Sequence, residues 1–195
     1  MVLPIYTYGH DKLRKETEPV DSNSDELQEL IDNMIDTMYA ASGIGLAAPQ
    51  VGRTDRLFVI DVTPMANELD GNGQEIPEQP MVFINPEIVA ESEAVCDFEE
   101  GCLSIPDVQE AVTRPETVTI RYRDRNFKEQ EREVGNMLAR VIQHEFDHLF
   151  GVLFVDHLGS FRKRMVRRSL RKIADGDVEA DYPLVTASGD MVEAR

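Results

Sequence analysis

Residues 136–151 read NMLARVIQHEFDHLFG, and the rest of the chain is best read outward from them. The apolar pairs Val141-Ile142 and Leu149-Phe150 flank a polar centre, and Gly151 is placed to stop a helix over 136–150. Within that helix His144 and His148 are four residues apart, so they share nearly one face and sit about 6 Å apart along the axis. Both imidazoles can reach one metal ion, and Glu145 falls beside a bound water that it could deprotonate.

Upstream, the first clear element is a helix over 25–41. Leu27, Leu30, Ile31, Met34, Ile35 and Met38 recur at helical spacing as one core-facing stripe. Asn23, with Glu26 three residues on, reads as its capping box, and Ser42-Gly43 ends it. Strands are expected at 56–62, 81–85, 87–98 and 117–124, the last from the alternation TVTIRYRD. Residues 63–80 carry Pro64, Gly71, Gly73 and Pro77 and read as a loop. A basic helix is expected over 160–174. Short strands with three separated helices predict a single α+β domain, its mostly antiparallel strands packed around the central HExxH helix. The expected division is a catalytic domain over 1–175 and an extended or disordered tail over 176–195.

Composition narrows the function classes. At 195 residues the chain suits one hydrophobic core. No apolar run approaches membrane-spanning length, and Met1 to Tyr6 have neither a basic flank nor a small-residue cleavage site. No membrane association is expected, and the cytoplasm is the default compartment. A formal net charge of −17 argues against DNA binding over the whole surface. Yet residues 159–172 hold seven Lys or Arg and no acid, which makes them either a partner site or a solvated helix face. The two cysteines, Cys96 and Cys102, fit thiol chemistry or burial better than a disulfide.

Two imidazoles leave a catalytic metal site one protein ligand short. In His-Glu-x-x-His-x-x-Gly-x-x-His the third histidine would fall at Phe154, so that pattern fails, and His157 is read as structural. A candidate lies upstream in Glu100-Gly101-Cys102-Leu103-Ser104-Ile105-Pro106. The Cys102 thiolate is a soft ligand, and a tight turn would bring the backbone near Leu103 close to a substrate. A third segment, Gly43-Ile44-Gly45-Leu46-Ala47-Ala48-Pro49-Gln50, imitates a dinucleotide fingerprint. Its glycines follow a helix, however, and Pro49 interrupts any helix after them. A close-approach loop presenting the Gln50 amide is the better reading.

Taken together, GIGLAAPQ at 43–50, EGCLS at 100–104 and QHEFDHLFG at 143–151 resemble the signature of peptide deformylases, with general similarity from about residue 3 to 172. The resemblance implies removal of the formyl group from N-terminal formyl-methionine of nascent polypeptides, releasing formate, with Glu145 as the general base for a metal-activated water. It implies Cys102, His144 and His148 as metal ligands, and Gln50 and the Leu103 backbone N–H as oxyanion donors. Gly45 would lie against the substrate and Ile44 would line the methionine pocket, to which the helical spacing adds Val141. One divalent ion is implied, usually Fe(II), with zinc, nickel or cobalt able to replace it. Gln109 departs from the arginine that some members carry, which puts a contact with the substrate backbone in doubt. Two competing readings are an HExxH peptidase cutting internal bonds and a binding module whose metal has four protein ligands. A deformylase meets its substrate where nascent chains leave the ribosome, so weak docking of the basic helix on ribosomal RNA is a further expectation.

Overall fold

The computed structural model describes residues 1–65 and 77–195. At its centre is an antiparallel sheet of five strands: β2 (Gly45–Ala47), β3 (Leu57–Ile60), β4 (Met81–Glu91), β7 (Thr117–Arg123) and β8 (Glu129–Gly135), adjacent in that order. A separate hairpin pairs β5 (Val95–Cys102) with β6 (Ile105–Pro115). A third, small sheet joins the two ends of the chain. In it β1 (Ile5–Tyr6) runs parallel to β9 (Leu184–Val185), which pairs antiparallel with β10 (Met191–Val192). The helices are α1 (Asp25–Ala40), α2 (Asn136–His148) and α3 (Ser160–Ala174).

Strand alternation explains the layering. Along β3, Phe58 and Ile60 face one way and join Met137, Leu138, Val141 and Ile142 of α2. Leu57 and Val59 face the other way and join Leu27, Ile31, Met34 and Met38 of α1. The four β3 side chains are completely buried, so each contributes roughly 1.5–3 kcal/mol of transfer free energy. The sheet is thereby held between α1 and α2, and α2 carries its histidines into the interior. The α+β reading of the sequence holds.

Several boundaries differ from expectation. The cap of α1 is Ser24, whose Oγ accepts the Leu27 N–H at 3.2 Å, whereas Asn23 Oδ1 accepts from the Gln28 side chain. The strands expected at 81–85 and 87–98 are one strand ending at Glu91, its register shifting between Ile84 and Glu87, followed by the separate β5. A bulge absorbs the Asn85-Pro86 break, which the sequence alone reads as an end. Both β6 and β8 escaped the sequence reading. Pro106 and the charges of Glu129 to Glu133 conceal them, and β8 tolerates those charges because it is a sheet edge. Most of the loop expected over 63–80 lies outside the described residues.

Residues 176–195 contribute β9 and β10 to the small sheet. Leu184 is completely buried, and the Ile5 and Thr7 N–H groups donate to the Pro183 and Val185 carbonyls at 2.9 Å each. That pairing joins residues about 180 apart in sequence, which local pattern cannot reveal. Helix α3 is anchored by Val166, Leu170 and Ile173. Phe161 and Met165 of the same helix take no part in this anchoring and are 76% and 66% exposed. Among the described residues no helix is long and apolar enough to cross a membrane.

Candidate active site

Helix α2 presents His144 and His148 from consecutive turns, with ring centroids 5.1 Å apart. Cys102 closes β5, immediately before the two turn residues Leu103 and Ser104 that lead into β6. One ligand atom from each of Cys102, His144 and His148 lies within 4.8 Å of the other two, and Cys102 Sγ is 3.4 Å from His148 Nε2. Both cysteines are free. A thiolate and two imidazoles at this separation fit a single divalent ion.

The support behind these residues was not read from sequence. Along β5, Phe98, Glu100 and Cys102 share one face. The buried Glu100 carboxylate accepts from Arg114 Nε at 2.7 Å and Arg140 Nη1 at 2.8 Å, and its Oε2 lies 2.8 Å from His144 Nδ1. Burial pushes Glu100 up, but the hydrogen bonds from His144 and Arg114 outweigh it and hold the carboxyl well below the usual range. Burial also pushes His144 down, and the neighbouring Cys102 and Glu100 reverse this and raise it well above its ordinary value. Because Glu100 occupies Nδ1, Nε2 is the nitrogen left to ligate, a common device for orienting metal-binding histidines. Arg114 also reaches Asp147 at 2.7 Å, and Asp147 lies 2.7 Å from His157 Nε2, giving His157 its structural place. A readable signal existed, since an acid on the inward face of a strand needs buried cations.

Glu145 is buried, and its Oε2 has no hydrogen-bond partner among the described residues. Burial pushes this carboxyl up to about 7. Gly45 packs directly against it, so that a Cβ at position 45 would overlap the carboxyl group. The Gln50 amide is oriented from behind. Its Oε1 accepts the Ala47 N–H at 2.7 Å, which turns Nε2 toward Cys102 Sγ at 3.5 Å and Ser104 Oγ at 3.3 Å.

These groups meet at a cleft of about 920 Å³. Ile44, Gly45, Gln50, Leu103, Val141 and Glu145 all line it, so the structure brings the sequence-derived residues together. Gln109 lines it as well, with a neutral amide. The wall formed by Glu179 to Tyr182 was not anticipated.

No fourth His, Cys, Asp or Glu joins the ligand group among the described residues. A three-ligand site on a cleft, with a carboxylate beside it, is the arrangement of a metal-dependent hydrolase and not of a closed structural site. Comparison with known proteins makes the assignment specific. The family model for polypeptide deformylase matches residues 2–164. The peptide deformylase of Salinibacter ruber is 66% identical over 195 residues, covering all of both chains. That of Christiangramia forsetii is 44% identical, covering 94% of this chain and 95% of its own. Among solved structures, a peptide deformylase from Legionella pneumophila matches with TM-score 0.78 and 41% identity, covering 91% of this chain and 98% of that one. One from Synechococcus elongatus in complex with actinonin matches with TM-score 0.74 and 40% identity, covering 90% and 87%. The chain belongs to the polypeptide deformylase family, metal-dependent hydrolases that remove the formyl group from N-terminal formyl-methionine.

Proposed function

We propose that Cys102, His144 and His148 hold one divalent ion, natively Fe(II) and replaceable by zinc, nickel or cobalt. When bound, the ion serves as a Lewis acid that acidifies water and polarises the formyl carbonyl. Glu145 takes the proton of the attacking water as its oxygen bonds to the formyl carbon. The oxygen of the former carbonyl gains charge, and the Gln50 amide and the Leu103 N–H donate to it. Glu145 then passes the proton to the amide nitrogen, the carbon–nitrogen bond breaks, and formate and a free amino terminus leave. Ile44 and Val141 flank the methionine side chain, and Gly45 lies against the substrate backbone.

The observation that carries this reading is the unpartnered Oε2 of Glu145, buried at the cleft beside the ligand group and the Gln50 amide. A buried carboxylate with one free oxygen is poised to accept a proton from a group that enters the cleft. The test is formate release from a formyl-Met tripeptide by protein prepared anaerobically with iron, beside an internally quenched peptide without a formyl group. Cleavage of the second peptide alone would replace deformylation with endopeptidase activity. Actinonin should inhibit formate release, given its complex with the Synechococcus protein.

We also propose a cytoplasmic enzyme that meets nascent chains at the ribosome, docking weakly through the basic residues of 159–172. Arg164, Arg167 and Arg168 support this, since none of them has an acidic partner among the described residues. Arg162, by contrast, pairs with Glu110, and Lys172 with Asp177.

A further inference from the structure

One wall of the cleft comes from the far end of the chain. Tyr182 lines the cleft, and its hydroxyl donates to the backbone carbonyl of Leu103 at 2.9 Å. Leu103 and Ser104 are the two residues that turn β5 into β6, directly after Cys102. The next carbonyl, that of Ser104, accepts the Tyr8 N–H at 2.8 Å. Both carbonyls of the turn are therefore held from outside the hairpin. Tyr8 and Tyr182 are themselves fixed by one device, the parallel pairing of Ile5 with Leu184 and Tyr6 with Val185. On its other side the Leu103 side chain is pressed against Gly43, where a Cβ would come within 2.7 Å of Leu103 Cδ1.

A two-residue turn can rock about the backbone of its first residue, and such rocking tilts the N–H and the C=O on either side of it together. Misplacing a donor by about 1 Å can cost on the order of 10² in rate. We propose that Tyr182 is a positioning residue for the deformylation reaction: by holding the Leu103 carbonyl it sets the attitude of the turn that offers the Leu103 N–H. The joined chain ends are the clamp that keeps Tyr182 there. This rests on the reading in which that N–H donates to the formyl oxygen. A purely structural Tyr182 would need only its ring, which packs against the core that includes Leu27, Ile31, Met34 and Met38 of α1.

Tyr182→Phe separates the two roles, because it keeps the ring and removes the donor. The measurements are kcat and KM for a formyl-Met tripeptide with nickel-loaded protein, and backbone amide NMR shifts of the zinc-loaded protein. We expect kcat to fall about tenfold, part of the roughly 10²–10³ lost when an oxyanion donor is removed outright. KM should stay within about twofold, and the shift changes should centre on Leu103 and Ser104. Wild-type kcat in the variant overturns the proposal, as does a loss of kcat accompanied by shift changes spread through the core. If the wild type releases no formate, the underlying reading has failed, which is a different result from an active wild type matched by its variant.

Discussion

Glu100 Oε2 stands 2.8 Å from His144 Nδ1, and the same carboxylate bridges two buried guanidiniums, Arg114 and Arg140. One side chain thus orients a proposed metal ligand and neutralises the charge behind it. Glu100→Gln should cost up to about 3–5 kcal/mol of stability, the scale for breaking a buried ion pair from one side. It should also weaken metal binding by roughly 10- to 100-fold, the usual effect of losing the partner of a ligating histidine. Urea unfolding and competitive zinc titration measure the two effects. An unchanged zinc affinity would show that His144 needs no such orientation.

For Glu145 the expected result is opposite in kind. The carboxylate lies outside the proposed ligand set, so Glu145→Gln should retain the metal while losing about 10²- to 10⁴-fold in turnover, the range for general acid–base catalysis. Metal analysis and single-turnover formate release on the same preparation check both halves. Near-wild-type turnover in a fully loaded variant would remove Glu145 from the mechanism.

The contact between Gly45 and Glu145 gives a sharper test of geometry. A Cβ at position 45 would overlap the Glu145 carboxyl, and both groups are buried. In Gly45→Ala the carboxylate must swing aside, so kcat should fall on the order of 10²-fold with little change in metal content. Soaking or co-purifying metal should not restore it. If Gly45→Ala turns over like the wild type, Glu145 has room that the packing does not suggest.

How much of this was legible in the sequence depends on the range of each interaction. The ligand pair His144 and His148 is set by about one helical turn, and the stripe from Leu27 to Met38 by about three, so both were readable. Cys102 and Gln50 stand out locally as a candidate soft ligand and a presented amide, but only the family resemblance joins them to the histidines in one site, because nothing local ties a strand end and a glycine loop to a helix far downstream. Strand β6 was hidden by Pro106 and by Asp107, whose φ of 61° belongs to a turn. Glu100 looked like one acid among many until its place beside Cys102 on an inward face supplied Arg114 and Arg140. Tyr182 carries no local signal, since its function depends on a carbonyl 79 residues away.

Asp61 offers a test by pH that involves no member of the ligand group. Tyr39 Oη donates to Asp61 Oδ2 at 2.5 Å, and the Thr63 N–H donates to Oδ1 at 2.8 Å. Burial pushes Asp61 up, but the hydrogen bonds from Thr63 and Tyr39 outweigh it and leave the carboxyl below its ordinary 3.8. The folded value is the lower one, so the ionised carboxylate stabilises the protein above pH 3.8, and that contribution is lost as pH falls through the folded value. Tyr39→Phe should move the Asp61 titration upward and bring the acid loss of stability to higher pH, leaving the activity at neutral pH unchanged. Carboxyl NMR titration with unfolding curves from about pH 2.5 to 5 covers the relevant window. An unmoved Asp61 titration would mean that Thr63 alone sets it.

The basic face of α3 yields the last prediction. Away from 159–172 the chain has 13 basic against 37 acidic residues, so long-range repulsion opposes any approach to RNA phosphate unless a local patch offsets it. Arg164 and Arg168 are on the same helix face as Phe161 and Met165, which are 76% and 66% exposed. That face combines cations that have no acidic partner among the described residues with apolar side chains suited to lie on a base, while Val166, Leu170 and Ile173 secure the opposite side. Changing Arg164, Arg167 and Arg168 to glutamate removes three candidate phosphate contacts without breaking an ion pair of the described residues. Wild-type protein should co-sediment with ribosomes at low salt and dissociate steeply between about 50 and 200 mM, as phosphate-mediated binding does. The triple variant should stay in the supernatant throughout, yet cleave a free formyl-Met peptide at the wild-type rate, because the helix contributes no residue to the metal-ligand group. Equal co-sedimentation of the two proteins at low salt would assign the basic residues to surface solvation, and adding Phe161→Ala would then tell whether the apolar pair binds by itself.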